Sequence, residues 1–136
     1  MKAAYIFSGQ GAQTVGMGKD LYESSNAAAA IYNEADSVLG WSISDICFNG
    51  PAEKLTESRY CQPAIYTTSM ACLAAYREKY EGDPDEVVGC AGLSLGEYAA
   101  LACAGFFSFA NGLKLVARRA ELMDEACRKT AGGMAA

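Results

Sequence analysis

A chain of 136 residues, 51% hydrophobic and 20% charged, suits one globular core and excludes a disordered segment. Its net charge of −5 speaks against a nucleic-acid partner, and no apolar run nears the roughly 20 residues of a membrane span. The opening run Ala3–Phe7 is too short for an export signal, so a cytoplasmic location is expected.

In chain order, Ala3–Phe7 reads as a short buried parallel strand ended by Ser8-Gly9, followed by the turn Gly9-Gln10-Gly11-Ala12-Gln13. A helix is expected from about Ser25 to Leu39, stopped by Gly40, with a shorter one after Ser42. Pro51 suits the first turn of another short helix. A longer helix is expected from Pro63, with Ile65, Met70, Leu73 and Tyr76 on its core face, fading near Tyr80 into the turn Glu81–Pro84. Val87 opens a second buried strand that runs to Leu93, a small-residue helix covers Leu95–Ala104, and Ser108 caps a last helix reaching towards Arg128. Strands alternating with helices predict an α/β fold built on a parallel sheet. The apolar tail Ala131–Ala136 has no polar cap and reads as an element cut off.

Gly92-Leu93-Ser94-Leu95-Gly96 matches G-x-S-x-G at a strand-to-helix turn. Such a turn lifts the serine hydroxyl above the sheet edge and aims helix N–H groups at a developing oxyanion. The other reading of Ser94 is a cap on the helix that follows. Gly9-Gln10-Gly11 follows a strand too, but Thr14 breaks a dinucleotide fingerprint and Asp20 after Gly18-Lys19 breaks a phosphate loop. The turn is then either ordinary or the source of an oxyanion-binding N–H at Gln10.

The last helix carries a charge on its wrong side. At about 100° per residue, Lys114, Arg118, Glu121 and Glu125 share a polar face, while Leu115, Val116, Leu122, Met123 and Ala126 lie opposite. Arg119 falls in the middle of the apolar face. A buried guanidinium needs an anion, and three outcomes are open: a structural carboxylate, a carboxylate on a ligand held by its fork, or snorkelling along the helix edge.

Six cysteines (Cys47, Cys61, Cys72, Cys90, Cys103, Cys127) lack any Cys-x-x-Cys pair and read as buried free thiols. No metal site is expected. The sequence also contains no histidine, the commonest general base.

Taken in order, Phe7-Ser8-Gly9-Gln10-Gly11-Ala12-Gln13, Gly50-Pro51-Ala52-Glu53, Cys61-Gln62-Pro63-Ala64, Gly92–Tyr98, Arg119 with Leu122-Met123, and Gly133-Met134-Ala135-Ala136 form a distinctive set. The set resembles the malonyl-CoA:acyl-carrier-protein transacylases of fatty-acid synthesis and the acyltransferase domains of polyketide synthases. The resemblance implies an α/β-hydrolase-like core over residues 1–130, with residues 131–136 entering a small ferredoxin-like subdomain. It implies that Ser94 carries malonate from malonyl-CoA to the phosphopantetheine thiol of an acyl carrier protein, without a cofactor. On the same carry-over, the N–H groups of Gln10 and Leu95 form the oxyanion hole, Arg119 pairs with the malonate carboxylate, and Gln62 lines the pocket.

Leu93 stands where the family commonly has histidine, and Ser8 where proline is frequent. The family's basic histidine lies far downstream, so the resemblance implies a second portion of polypeptide that supplies it, and homodimerisation cannot replace it. The competing readings are a non-catalytic module that binds acyl carrier protein or coenzyme A, and a patatin-type Ser–Asp lipase, whose Asp-Gly-Gly segment is missing here.

Overall fold

The computed structural model describes residues 2–84 and 86–130. The expected start of a second subdomain at 131–136 lies outside them. Two strands, β1 (Lys2–Phe7) and β2 (Glu86–Gly92), pair in parallel, with Phe7 opposite Gly92 and a register shift between Ala3 and Ala4. Among the described residues seven helices complete the order: α1 (Lys19–Ser24), α2 (Asn26–Leu39), α3 (Ile43–Asn49), α4 (Ala52–Thr56), α5 (Ser58–Lys79), α6 (Gly96–Cys103) and α7 (Phe109–Lys129).

The punctuation residues act as their chemistry predicts. Ser25, Ser42 and Ser108 each accept a backbone N–H at the start of α2, α3 and α7, and Gly40 closes α2 at φ 73°. Pro51 precedes α4 as its N-cap instead of sitting in its first turn. Helix α1 has no counterpart among the predicted elements; it is a six-residue helix with no buried residue, so it carries no periodic signal.

Helix α5 begins at Ser58, five residues before the proline expected to start it, and Pro63 lies inside it. A proline there forfeits one backbone hydrogen bond. Its ring is fully buried beside Cys61, Gln62, Ala64 and Ile65, so tertiary packing outweighs the local preference. α5 is the central element, in contact with α7, α2, α3, α4 and α6. Around it Tyr32 packs on Tyr22 and Phe48, and Tyr66 stacks on Phe109 with ring centroids 5.6 Å apart.

The strands are not the buried pair their composition predicts. Only Phe7 among their residues is fully buried, while Ile6 is 83% and Val88 59% exposed. α6 packs against both strands, and among the described residues no third strand covers either edge. No described helix is long and apolar enough to cross a membrane.

Helix α7 also faces differently from the prediction. It packs through Gly112, Leu113, Val116 and Ala120, leaving Leu115 50% and Leu122 48% exposed. The reason is close approach: a Cβ on Gly112 would lie 2.1 Å from the Tyr66 hydroxyl oxygen. Small residues therefore turn towards α5, and the bulky apolar stripe rotates to the edge. Arg119 moves with it, from the middle of a buried face to a half-buried rim.

Two glycines let the second strand meet the first at its carboxyl end. A Cβ on Gly92 would fall 2.1 Å from the Gly96 carbonyl carbon, and one on Gly96 would fall 2.3 Å from the Phe7 carbonyl oxygen. Both obstacles are backbone and cannot swing aside. Gly96→Ala should therefore destabilise the chain by about 2 kcal/mol, seen as a lower urea midpoint. An unchanged midpoint would mean that this contact does not constrain the turn.

Candidate active site

The turn after β2 holds Ser94 in the left-handed region at φ 52°, a conformation that non-glycine residues adopt rarely and at a cost. Backbone bonds from Gly96 N to Leu93 O and from Glu97 N to Ser94 O fasten the turn to the first residues of α6. The N-cap of α6 is Leu95, with no side-chain cap bond, so the Ser94 hydroxyl does not serve as a helix cap. It is exposed, and it accepts a hydrogen bond of 2.8 Å from Nη2 of Arg119.

Arg119 links the turn to a buried polar chain. Its Nη1 donates to Oε1 of Gln62, which is completely buried. Nε2 of Gln62 donates in turn to Oε1 of Gln10 and to Sδ of Met123, each at 3.3 Å. Nε2 of Gln10 reaches the Ser58 hydroxyl oxygen at 3.3 Å. Six side chains from the β1 turn, α5, the β2 turn and α7 thus form one connected network, which places Ser94, Arg119, Gln62 and Gln10 together.

The three outcomes open for Arg119 can now be compared. It does not snorkel to solvent, because its head group turns inward to Ser94 and Gln62. Among the described residues it has no carboxylate partner; both acceptors are neutral, and the Tyr98 ring centroid lies 5.7 Å from its guanidinium carbon. The half-buried cation is hydrogen-bonded but not neutralised. Such a cation has room for an anionic partner that the described residues do not supply.

Gln10 and Leu95 lie on adjoining turns, one after each paired strand. A Cβ on Gly9 would come within 2.8 Å of the Leu93 carbonyl oxygen, which measures how tightly those turns press together. Gln62 is fully buried in the free chain, with Oε1 bonded to Arg119. Beside them a shallow depression of about 510 Å³ is walled by Tyr98, Leu115, Leu122, Met123 and Ala126.

Ser58 was missed by sequence reasoning, since nothing local marks a contact 48 residues away. The site role of Met123 was legible in principle, one helical turn beyond Arg119. Burial pushes the thiol of Cys61, next to Gln62, up to about 11, which keeps it protonated at neutral pH. Among the described residues no cluster of three or more His, Cys, Asp or Glu side chains is placed to hold a metal.

A family model described as an acyl transferase domain matches residues 4–136. The chain is 45% identical over 135 residues to the malonyl CoA-acyl carrier protein transacylase of Bacillus subtilis (strain 168), covering 99% of this chain and 41% of that relative. A crystal structure of the corresponding transacylase from Clostridium perfringens superposes with a TM-score of 0.84 at 37% identity, over 98% of this chain and 40% of that one. A malonyl-transacylase solved in complex with its type II PKS acyl-carrier protein gives a TM-score of 0.83 at 38% identity, over 90% of this chain and 39% of that one. The chain thus spans about two fifths of the length of the curated relative.

Replacing Gln62 with leucine roughly keeps the volume but leaves an Arg119 N–H and Oε1 of Gln10 without their Gln62 partner. Gln62→Leu should lower stability by about 2 kcal/mol in urea unfolding, more than an exposed glutamine would cost. A change within a few tenths of a kcal/mol would show that the network is not holding Arg119.

Proposed function

This chain belongs to the acyl transferase domain family, and from that membership we propose that it provides the nucleophile and the acyl-recognition residues of a malonyl-CoA:acyl-carrier-protein transacylase. The observation that carries the reading is the strained Ser94 turn with the un-neutralised Arg119 at 2.8 Å. A serine raised above a sheet edge is a nucleophile in search of an acyl group, and an arginine without a carboxylate selects which one.

In the proposed reaction Ser94 Oγ attacks the thioester carbonyl of malonyl-CoA. The new C–O bond forms, the C–S bond breaks, and coenzyme A leaves as its thiol with the serine proton. The phosphopantetheine thiol of an acyl carrier protein then attacks the ester and restores the serine. The N–H groups of Gln10 and Leu95 stabilise the oxyanion in both steps. The whole cycle conserves redox state and needs no cofactor.

Arg119 would turn its fork from Ser94 to the malonate carboxylate, with Gln62 holding the other nitrogen in place. A monocarboxylic acyl group would leave that charge unpaired, which is the physical basis of selection. The carrier-protein step draws support from the relative solved with its acyl-carrier protein.

Arginine cannot serve as a base, and residues 1–136 contain no histidine. In this proposal the proton acceptor for Ser94 comes from polypeptide outside these residues, in keeping with the α/β-hydrolase-like core and second subdomain that the resemblance implies.

The experiment is covalent labelling with malonyl-CoA, followed by intact-mass and peptide analysis. The 136-residue chain alone should label slowly, and faster by about 10²-fold or more when a histidine-bearing second portion of an acyl transferase domain is added. Rapid labelling of the chain alone would remove the external base. Ser94→Ala should abolish the adduct, and its persistence would move the nucleophile elsewhere. Arg119→Ala should lower malonyl transfer about 10²-fold while sparing acetyl transfer. An equal loss for both acyl groups would remove the carboxylate role. A binding module without chemistry would give carrier-protein binding and no adduct under any condition.

A further inference from the structure

Away from the serine, β2 and the end of α6 bring two cysteines together. Sγ of Cys90 lies 3.5 Å from Sγ of Cys103, and both residues are half-buried. They border a cavity of about 330 Å³ whose wall also includes Tyr5, Arg77, Asp83 and Val88, so a small solute can reach the sulfurs. Arg77 is fixed there by a bidentate pair with Asp83, Nε to Oδ1 at 2.8 Å and Nη2 to Oδ2 at 3.1 Å. The Tyr5 hydroxyl donates to the same carboxylate at 2.8 Å. Nη2 of Arg77 also approaches Cys103 Sγ at 3.9 Å, which puts a cation beside one thiol of the pair.

We propose that Cys90 and Cys103 are a peroxide-oxidisable dithiol, whose disulfide clamps the strand that enters the nucleophile turn to the helix that leaves it. Closure needs the sulfurs to approach from 3.5 Å to about 2 Å. The closed loop would enclose residues 91–102, and with them Ser94. One thiolate attacks hydrogen peroxide, forming an S–O bond and releasing hydroxide, which takes up a proton to become water. The second sulfur then displaces water from the sulfenic acid. In balance, two thiols and one peroxide give one disulfide and two waters, the sulfurs losing two electrons and the peroxide gaining them.

The other cysteines are placed differently. Cys47 and Cys61 are completely buried, whereas Cys72 and Cys127 are exposed. The expectation of six buried thiols therefore holds for two of them. Burial, then the hydrogen bond with Cys90, pushes the Cys103 thiol up to about 11, while Arg77 opposes the shift. Asp83 adds to it, and Tyr5, Asp83, Arg77 and Cys90 are the titratable or charged groups facing Cys103 from β1, the turn before β2, α5 and β2. More thiolate forms as pH rises, so oxidation should be faster at alkaline than at neutral pH. The proposal does not depend on acyl chemistry at Ser94.

The test oxidises the folded 136-residue chain with one equivalent of hydrogen peroxide, then alkylates it in denaturant and digests it. The expected product is two hydrogens lighter, has four alkylated cysteines instead of six, and yields one cross-linked peptide joining Cys90 to Cys103. In Cys103→Ser that peptide should vanish and Cys90 should be alkylated or over-oxidised. The oxidised wild type should also have a higher urea midpoint than its reduced form, and Cys103→Ser should show no such rise. A product in which Cys90 and Cys103 both remain alkylated, or a scrambled set of linkages, would overturn the proposal.

Discussion

The site rests on a backbone contact. The two paired strands end at the same level, and the turns beyond them press together so closely that Gly96 lies against the Phe7 carbonyl and Gly9 against the Leu93 carbonyl. No side chain fits between them. This approach forces the chain to reverse sharply after Gly92, and the reversal holds Ser94 at φ 52°. The strain at one residue is over-determined by the backbone bonds of Gly96 and Glu97 and by the packing of α6 on both strands. The geometry of Ser94 thus follows from glycine placement, not from any feature of the serine itself.

Electrostatics adds the second requirement. A guanidinium brought to a half-buried rim keeps its charge, so its surroundings must supply acceptors. The chain supplies neutral ones: a hydroxyl from Ser94 and an amide from Gln62, itself tied to Gln10 and Met123. Neutral acceptors orient the fork while leaving its charge available. A structural carboxylate in place of Gln62 would hold Arg119 more firmly and would neutralise the charge on which the proposed selection between acyl groups depends.

Much of this was legible in the sequence. Serine caps and glycine stops located α2, α3 and α7, and the G-x-S-x-G spacing located the turn, because each of those signals is local. The partners of Arg119 were not legible. Helical periodicity marked it as misplaced but could not see Gln62 or Ser94, which lie 57 and 25 residues away. The rotation of α7 was missed for a related reason: Gly112 and Ala120 decide which face packs by what they permit, and a hydrophobicity pattern does not register the absence of a side chain. The strands show the converse failure. Their apolar composition describes surfaces suited to burial, yet β2 meets solvent along most of its length.

That mismatch bears on the chemistry. Ile6, Leu93, Phe106, Leu115 and Leu122 are exposed apolar side chains, and Leu93 and Leu122 flank Ser94 or Arg119 along the chain. A serine ester formed on an open surface is within reach of water, and hydrolysis competes with transfer to a thiol. The Ser94–Arg119 contact is equally accessible, so a carboxylate arriving there must displace water as well as the serine hydroxyl. Under the proposed reaction, covering Leu93, Leu115 and Leu122 would bury surface suited to burial, exclude water from the ester and strengthen the Arg119–carboxylate pair in one event. On that reading, stability and retention of the acyl group are coupled through the same exposed residues, and whatever polypeptide supplies the base is best placed when it also covers them.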